Sequence, residues 1–159
     1  MLTSRTIRLF FCGWFGLSTG VPDHPAQADC WQDAETRFAV SRYLLLAIAE
    51  NESGLNPLAV NHNPDGTLDY GLMQINSRWL PVLAAQGIDS DALMNPCTNL
   101  EVGAWILAGN FARYGRNWRA VGAYNAREEA LRKRYAWQVA RKFNSIAKEY
   151  GLEAHDISH

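Results

Sequence analysis

The sequence lacks the short motifs that mark several large enzyme classes. None of its 12 glycines belongs to a phosphate-binding loop, no nucleophile elbow is present, and the four histidines do not have metal-ligand spacing. We therefore expect neither a metal nor another cofactor. The 159 residues contain no low-complexity tract and no internal repeat, and 48% of them are hydrophobic, so the chain suits one domain with a single core.

A hydrophobic run long enough to span a membrane is also missing. The N-terminal apolar run, residues 9–17, is too short and too rich in glycine for a stable span. Two arginines precede it, and residues 26–28 (Ala-Gln-Ala) fit a small-x-small cleavage site. The sequence thus predicts a signal peptide over residues 1–28 and a soluble, monomeric, periplasmic protein that begins near Asp29.

Cysteine is scarce, with three residues in the whole chain. Removal of the signal peptide would take away Cys12 and leave Cys30 and Cys97. An even pair of cysteines in an exported protein predicts a disulfide. This bridge would close a loop of 67 residues and stabilise the fold by about 4 kcal/mol. The alternative is two free, buried thiols.

Neither sign of charge dominates the whole chain, whose net charge is −1. Residues 29–101 carry ten acidic and three basic side chains, whereas residues 102–159 carry five acidic and ten basic ones. The basic part is either a solvated helix surface or a surface that attracts an anionic polymer or an acidic partner. A nucleic acid is not the expected partner, because the export signal and the near-neutral total argue against one. The basic cluster includes Arg113, Arg116, Arg119, Arg127, Arg132, Lys133 and Arg134.

Hydrophobic periodicity predicts a mainly α (α+β) domain over residues 29–150, followed by a flexible tail over residues 151–159. Residues 61–70 are polar and contain an Asn-Pro-Asp-Gly turn, which predicts one small β-hairpin. Gly54 should end the second helix just beyond Glu52, and Thr98 should cap the longest helix. The predicted helices cover residues 31–40, 44–52, 77–85, 89–93, 100–114, 118–124 and 126–150.

Glu52 is the first catalytic candidate, because it closes a strongly apolar helix. A nonpolar environment disfavours the carboxylate, so its pKa should rise and the side chain could act as a general acid. The alternative is an exposed glutamate at a helix end. Glu50 is the nearest rival, but helical geometry turns Glu50 and Glu52 to different faces.

Asp69, on the far arm of the hairpin, is the second catalytic candidate. The alternative to a catalytic role is a structural carboxylate in a turn or at a sheet edge. A partly solvated aspartate across a cleft from a protonated glutamate is the pairing that retaining glycosidases use. Further polar groups could hydrogen-bond sugar hydroxyl and N-acetyl groups, although capping and core packing would also explain them. These candidates are Gln74, Asn76, Tyr124 and Asn125.

Three segments together resemble the motifs of Slt-type peptidoglycan lytic transglycosylases, in order and in spacing. They are residues 52–57 (Glu-Ser-Gly-Leu-Asn-Pro), 71–74 (Gly-Leu-Met-Gln) and 123–126 (Ala-Tyr-Asn-Ala). The likeness extends from about residue 30 to residue 141 and implies a lysozyme-like fold with a helical bundle and a hairpin beside the cleft. Its details are similar to the small subgroup, typified by the invasion protein IagB, that accompanies type III secretion, type IV secretion and conjugation, or pilus assembly. The implied partners are peptidoglycan glycan strands and components of such an apparatus.

The resemblance also implies roles for individual residues. Glu52 matches the sole acid and base, which protonates the oxygen between N-acetylmuramic acid and N-acetylglucosamine and then accepts the muramyl 6-hydroxyl proton. The product is a 1,6-anhydro sugar. Ser53 matches a serine that supports the glutamate region, Met73 and Gln74 match sugar-contacting residues, and Tyr124 matches a tyrosine near the acid.

One departure leaves two other functions open. Residues 63–71 and 74–79 resemble the hairpin of c-type lysozymes, with the same spacing between Glu52 and Asp69, and many transglycosylases have no carboxylate at the position of Asp69. The resemblance therefore also allows a muramidase that hydrolyses the same bond with both carboxyl groups. A third possibility is a non-catalytic scaffold that binds peptidoglycan and recruits a secretion machine through its basic helix.

Overall fold

The structure, a computed structural model, describes residues 25–152, so the predicted signal peptide before residue 25 and the tail beyond residue 152 lie outside the described part. The predicted fold class is confirmed: helices dominate and one small antiparallel sheet accompanies them. None of the helices within residues 25–152 combines the length and hydrophobicity that a membrane span needs. The main elements are α1 (Pro25–Phe38), α2 (Arg42–Ser53), β1 (Val60–His62), β2 (Leu68–Tyr70), β3 (Ile75–Asn76), α3 (Leu80–Leu83), α4 (Pro96–Tyr114), α5 (Trp118–Asn125) and α6 (Glu129–Glu149).

Helix α2 buries its apolar face in the core and carries Glu52 near its C-terminal end. Leu44, Leu45 and Ile48 are fully buried, and α2 packs against α6. Gly54 ends the helix in a left-handed conformation with φ of 62°, and its N–H caps the carbonyls of Ala49 and Glu50. The helix therefore ends one residue after Glu52, as the sequence predicts.

The sheet contains one strand more than the predicted hairpin. β1 and β2 are antiparallel, with Asn61 opposite Asp69, and β3 adds to the other edge of β2, with Asn76 opposite Asp69. β3 comprises only two residues, so the alternation of apolar and polar side chains that marks a strand cannot be recognised there in the sequence. The register places two asparagines on either side of the aspartate.

Several predicted helix boundaries are wrong. The longest helix, α4, begins at Pro96 and is capped by Asn95, whose side chain accepts hydrogen bonds from the backbone N–H groups of Cys97 and Thr98. The predicted cap at Thr98 fails because an asparagine followed by proline already supplies the cap and the first helical residue. Two other helices differ from the prediction as well: α1 covers Pro25–Phe38 instead of residues 31–40, and α6 begins at Glu129 instead of residue 126.

A buried amide joins the sheet to α4. Asn99 is fully buried, and its Nδ2 donates to the carbonyls of Tyr70 and Leu93, both at 2.8 Å, while its Oδ1 accepts from the N–H of Met73 at 2.7 Å. Gly71 has a φ of 71°, and a Cβ there would lie 2.5 Å from Asn99 Nδ2. A glycine is therefore required at residue 71 by both backbone conformation and space.

The predicted disulfide between Cys30 and Cys97 is confirmed. It joins α1 to the first turn of α4, and the two Cα atoms lie 5.4 Å apart, within the usual range for a disulfide. α1 and α4 also pack against each other. The bridge spans 67 positions of the sequence, so it restricts a large part of the unfolded chain.

Removal of this bridge should destabilise the protein strongly. We expect the double variant Cys30→Ala/Cys97→Ala to lose about 4 kcal/mol of unfolding free energy, because its unfolded chain regains loop entropy. Its melting temperature, measured by circular dichroism, should fall by roughly 10 °C or more. A reducing agent should lower the melting temperature of the wild type equally and leave that of the variant unchanged. Equal melting temperatures of oxidised and reduced wild type would contradict this.

Candidate active site

A cleft of about 820 Å³ lies between the sheet and the junction of α5 with α6. Polar side chains from the sheet and from the loop that joins β1 to β2 form one wall, and the end of α5 contributes to the other. Six of the eight residues predicted to take part in catalysis or substrate binding line the cleft: Glu52, Asp69, Gln74, Asn76, Tyr124 and Asn125.

Glu52 is partly buried and belongs to the cleft. Burial disfavours its charged form and raises the pKa of Glu52 from 4.5 to about 7; a hydrogen bond from Tyr135 lowers this pKa and the charge of Asp69 raises it. Desolvation is the largest of these effects, so Glu52 holds a proton over much of the range below neutral pH. The pKa rise predicted from the apolar neighbours in α2 therefore agrees with the structure.

Glu50, the rival candidate, has a different partner and lies outside the cleft. Its Oε1 accepts a hydrogen bond from Lys142 Nζ on α6 at 2.8 Å, which forms an ion pair. Glu50 is absent from the residues that line the cleft. The two glutamates of α2 thus face different neighbours, as their spacing in a helix predicts.

Tyr135 is a site residue that the sequence did not reveal. Its hydroxyl group donates a hydrogen bond to Glu52 Oε1, and its side chain is 4% exposed. In the sequence Tyr135 follows the helical spacing of buried α6 residues, so it resembles an ordinary core aromatic. The packing of α6 on α2 alone brings the phenol to a carboxyl group 83 positions away.

Asp69 is held in place by amides of neighbouring segments. Asn76 Nδ2 donates to Asp69 Oδ1 at 2.7 Å, and Asn63 Nδ2 donates to Asp69 Oδ2 at 2.9 Å. Asn61 Nδ2 lies 3.5 Å from the same Oδ2. These donors stabilise the carboxylate and fix its direction, so Asn76 serves Asp69 directly.

Tyr124 supports the site from α5. Its hydroxyl group donates to the carbonyl of Met73 at 3.0 Å, and its ring stacks on that of Tyr135 with centroids 6.4 Å apart. Burial raises the pKa of Tyr124 well above its usual value, with smaller contributions from the charges of Glu52 and Asp69. Tyr124 is therefore a neutral phenol at neutral pH.

The segment from residue 71 to residue 74 turns one predicted residue toward the cleft and one away from it. Gln74 lines the cleft with φ of 48°, and its Nε2 donates to the carbonyls of Gly71 at 2.9 Å and Ala59 at 3.3 Å. Met73, in contrast, is fully buried, and its side chain packs against Gly103. Met73 thus contributes its carbonyl to the site rather than a side chain to the cleft wall.

Ser53 is not among the residues that line the cleft either, and its contacts are internal. Its Oγ lies 2.8 Å from the carbonyl oxygen of Leu72, to which it donates, and 3.2 Å from that of Ala49. This bond ties the end of α2 to the 71–74 turn. Ser53 therefore positions the backbone next to Glu52. Within residues 25–152 no group of three or more histidine, cysteine, aspartate or glutamate side chains is placed to hold a metal ion.

The helices and the small sheet beside the cleft form a protein of lysozyme-like architecture. Among solved structures, an inactive mutant of the lytic transglycosylase Slt from Pseudomonas aeruginosa superposes with a TM-score of 0.63 at 16% sequence identity, which shows the common fold. The match covers 81% of this chain and 25% of that one.

The family model described as "Transglycosylase SLT domain" matches residues 29–147. The chain is 45% identical over 132 residues to invasion protein IagB of Salmonella typhimurium (strain SL1344), covering 78% of this chain and 82% of IagB. It is 41% identical over 131 residues to protein IpgF of Shigella flexneri, covering 79% of this chain and 86% of IpgF. The chain therefore belongs to the SLT family and is a peptidoglycan lytic transglycosylase.

The bond from Tyr135 makes a measurable contribution to the titration of Glu52. Because it stabilises the carboxylate, its loss in Tyr135→Phe should raise the pKa of Glu52 above about 7. The titration can be followed by carboxyl ¹³C NMR of the folded protein. Tyr43→Phe is the matched control, since Tyr43 contacts Arg42 and Tyr150 instead, and it should leave the titration unchanged. A lower pKa of Glu52 in Tyr135→Phe would contradict the assigned bond.

Proposed function

We propose that this transglycosylase cleaves the β-1,4 bond between N-acetylmuramic acid and N-acetylglucosamine, with Glu52 as both acid and base. The observation that carries the proposal is a partly buried carboxyl group in the cleft with a pKa of about 7. Such a group holds a proton near neutral pH and can also release it, as the two steps of the reaction require.

In the first step the protonated Glu52 donates its proton to the glycosidic oxygen as the bond from that oxygen to C1 of the muramyl residue breaks. Oε1 accepts the hydrogen bond of Tyr135, which leaves Oε2 to carry the proton. The positive charge that develops at C1 and the ring oxygen is stabilised by the Asp69 carboxylate. The Asn76 and Asn63 bonds keep that carboxylate in one orientation.

In the second step the muramyl 6-hydroxyl oxygen attacks C1, and its proton passes to the Glu52 carboxylate. The product is a 1,6-anhydro sugar, no water is consumed, and Glu52 returns to its protonated form. Asn125 is proposed to bind sugar groups through its amide. The NH2 groups of Gln74 and Asn76 already donate to two partners each within the protein, so these two side chains are proposed to accept hydrogen bonds from sugar hydroxyl groups through their amide oxygens. Tyr124 shapes the cleft beside the acid.

Hydrolysis is the second candidate, and Asp69 is the observation that favours it. A carboxylate fixed beside the cleft could stabilise the cation long enough for water to attack, or form a covalent intermediate itself. Membership in the transglycosylase family supports the intramolecular route instead. The two routes use the same acid and differ in the attacking oxygen.

We also propose a cellular setting. The protein would act as a monomer in the periplasm after removal of residues 1–28, and open the wall locally for a secretion, conjugation or pilus apparatus. The disulfide supports an oxidising compartment. The likeness to invasion protein IagB supports a link with an envelope-spanning assembly.

Mass spectrometry of released muropeptides should show 1,6-anhydro ends, which are one water lighter than reducing ends. Glu52→Gln should reduce their release at least ~100-fold, because glutamine cannot transfer a proton. Glu50→Gln is the matched control in the same helix, and it should retain activity since Glu50 pairs with Lys142. Reducing ends from the wild type would favour hydrolysis, and undiminished release by Glu52→Gln would eliminate the proposed acid.

Asp69→Asn should lower the rate by about 100-fold, the scale expected for loss of an aligned charge that stabilises a cationic transition state. It should also lower the pKa of Glu52, since the negative charge of Asp69 raises it. The alkaline limb of the kcat/KM profile, where protonated Glu52 is lost, should then move to lower pH. Asp33→Asn on α1 is the control for charge. A loss of less than about threefold with an unmoved limb would leave Asp69 only a structural role in the sheet.

A further inference from the structure

Arg127 is a charged residue of the cleft that the proposed reaction does not use. It lies in the short junction between α5, which ends at Asn125, and α6, which begins at Glu129. Its side chain is exposed and lines the cleft. Within residues 25–152 no hydrogen bond, ion pair or ring contact involves its guanidinium group.

The other cation of the cleft is already neutralised. Arg78 Nη2 lies 2.7 Å from Asp65 Oδ2, so this ion pair satisfies the guanidinium within the protein. The glutamates that follow Arg127 do not neutralise it either: Glu129 pairs with Arg119, and in the described part of the chain Glu128 forms no ion pair. Arg127 is therefore the unpaired cation at the cleft among residues 25–152.

The charge of the cleft makes an unpaired cation useful for an anionic substrate. Asp69 places a negative charge in the cleft, and Asp65 and Arg78 cancel each other. A glycan strand with carboxylates would be repelled by Asp69 unless a cation met those carboxylates elsewhere. A guanidinium group suits this task, because its planar fork can donate two parallel hydrogen bonds to one carboxylate.

Peptidoglycan supplies such carboxylates beside its sugar backbone. Each muramyl residue carries a lactyl group, which is either a free carboxylate or the attachment point of a stem peptide with its own carboxylates. We propose that Arg127 binds a carboxylate of the glycan strand and so selects muramyl-containing strands over neutral sugar polymers. This proposal rests on the proposed function, and it gives Arg127, at the α5–α6 edge of the cleft, a role in recognising the substrate class. Because Arg127 transfers no proton in the proposed reaction, it acts on binding.

The test compares Arg127→Gln with Arg134→Gln, which removes the same charge from an exposed position of α6 outside the cleft. The substrates are solubilised peptidoglycan strands and the same strands with their carboxyl groups converted to amides. We expect Arg127→Gln to raise KM on native strands about fivefold relative to Arg134→Gln, the scale of one exposed charged hydrogen bond, with kcat within twofold. On amidated strands the difference should vanish.

A third substrate identifies the source of the carboxylate. Strands stripped of their stem peptides by an amidase expose free lactyl carboxylates. An Arg127 effect confined to peptide-bearing strands assigns the stem-peptide carboxylates, because the lactyl carboxyl is an amide wherever a peptide is attached. An effect that persists on stripped strands shows that Arg127 also accepts the free lactyl carboxylate; both outcomes support carboxylate binding.

Three results would overturn the inference: equal KM values for the two variants on native strands, a KM difference that persists on amidated strands, or a fall in kcat without a change in KM. The proposed function is judged separately from the ends of the fragments released by the wild type in the same reactions. Anhydro ends with an indifferent Arg127 would reject only the inference. Reducing ends with an Arg127 effect would reject only the proposed chemistry.

Discussion

One buried amide holds the cleft together. Asn99 satisfies a carbonyl at the end of β2, a carbonyl at residue 93 and the N–H of Met73, so it anchors the 71–74 turn to α4. Each of these backbone groups would cost about 1–3 kcal/mol if it were buried without a partner. Ser53 on α2 and Tyr124 on α5 also donate hydrogen bonds to backbone carbonyls of the 71–74 turn. Helices from distant parts of the chain thus meet at one short segment beside the acid.

Glu52 and Asp69, the two carboxyl groups of the cleft, have different surroundings. Glu52 lies where desolvation outweighs the Tyr135 hydrogen bond, so its neutral form persists to near neutral pH. Asp69 lies between amide donors from Asn63 and Asn76, which bond its two oxygens and hold the side chain in one orientation. Environments that separate a proton-carrying acid from an ionised partner are the means by which glycosidases divide acid catalysis from charge stabilisation.

The acidic part and the basic part of the sequence contribute to different walls of the cleft. The acidic part, residues 29–101, supplies both carboxyl groups, and the basic part, residues 102–159, supplies the opposite wall with Arg127 at its rim. Some other cations of the basic part have partners, such as Lys142 with Glu50 and Arg119 with Glu129. A cation that borders a catalytic cleft without such a partner is available to substrate.

The sequence by itself determined the helical class, the hairpin, the disulfide and the rise in the pKa of Glu52. The helices, the hairpin and the pKa rise depend on near neighbours in the chain, namely apolar periodicity, turn residues and the apolar run before residue 52. The disulfide joins residues 67 positions apart and followed from the cysteine count, since two cysteines remain after residue 28. The tertiary structure alone decided that Tyr135 bonds Glu52, that Met73 faces the core and that a two-residue strand completes the sheet. Most of these depend on which elements pack together, and a contact across 83 positions leaves no local pattern for a sequence to display.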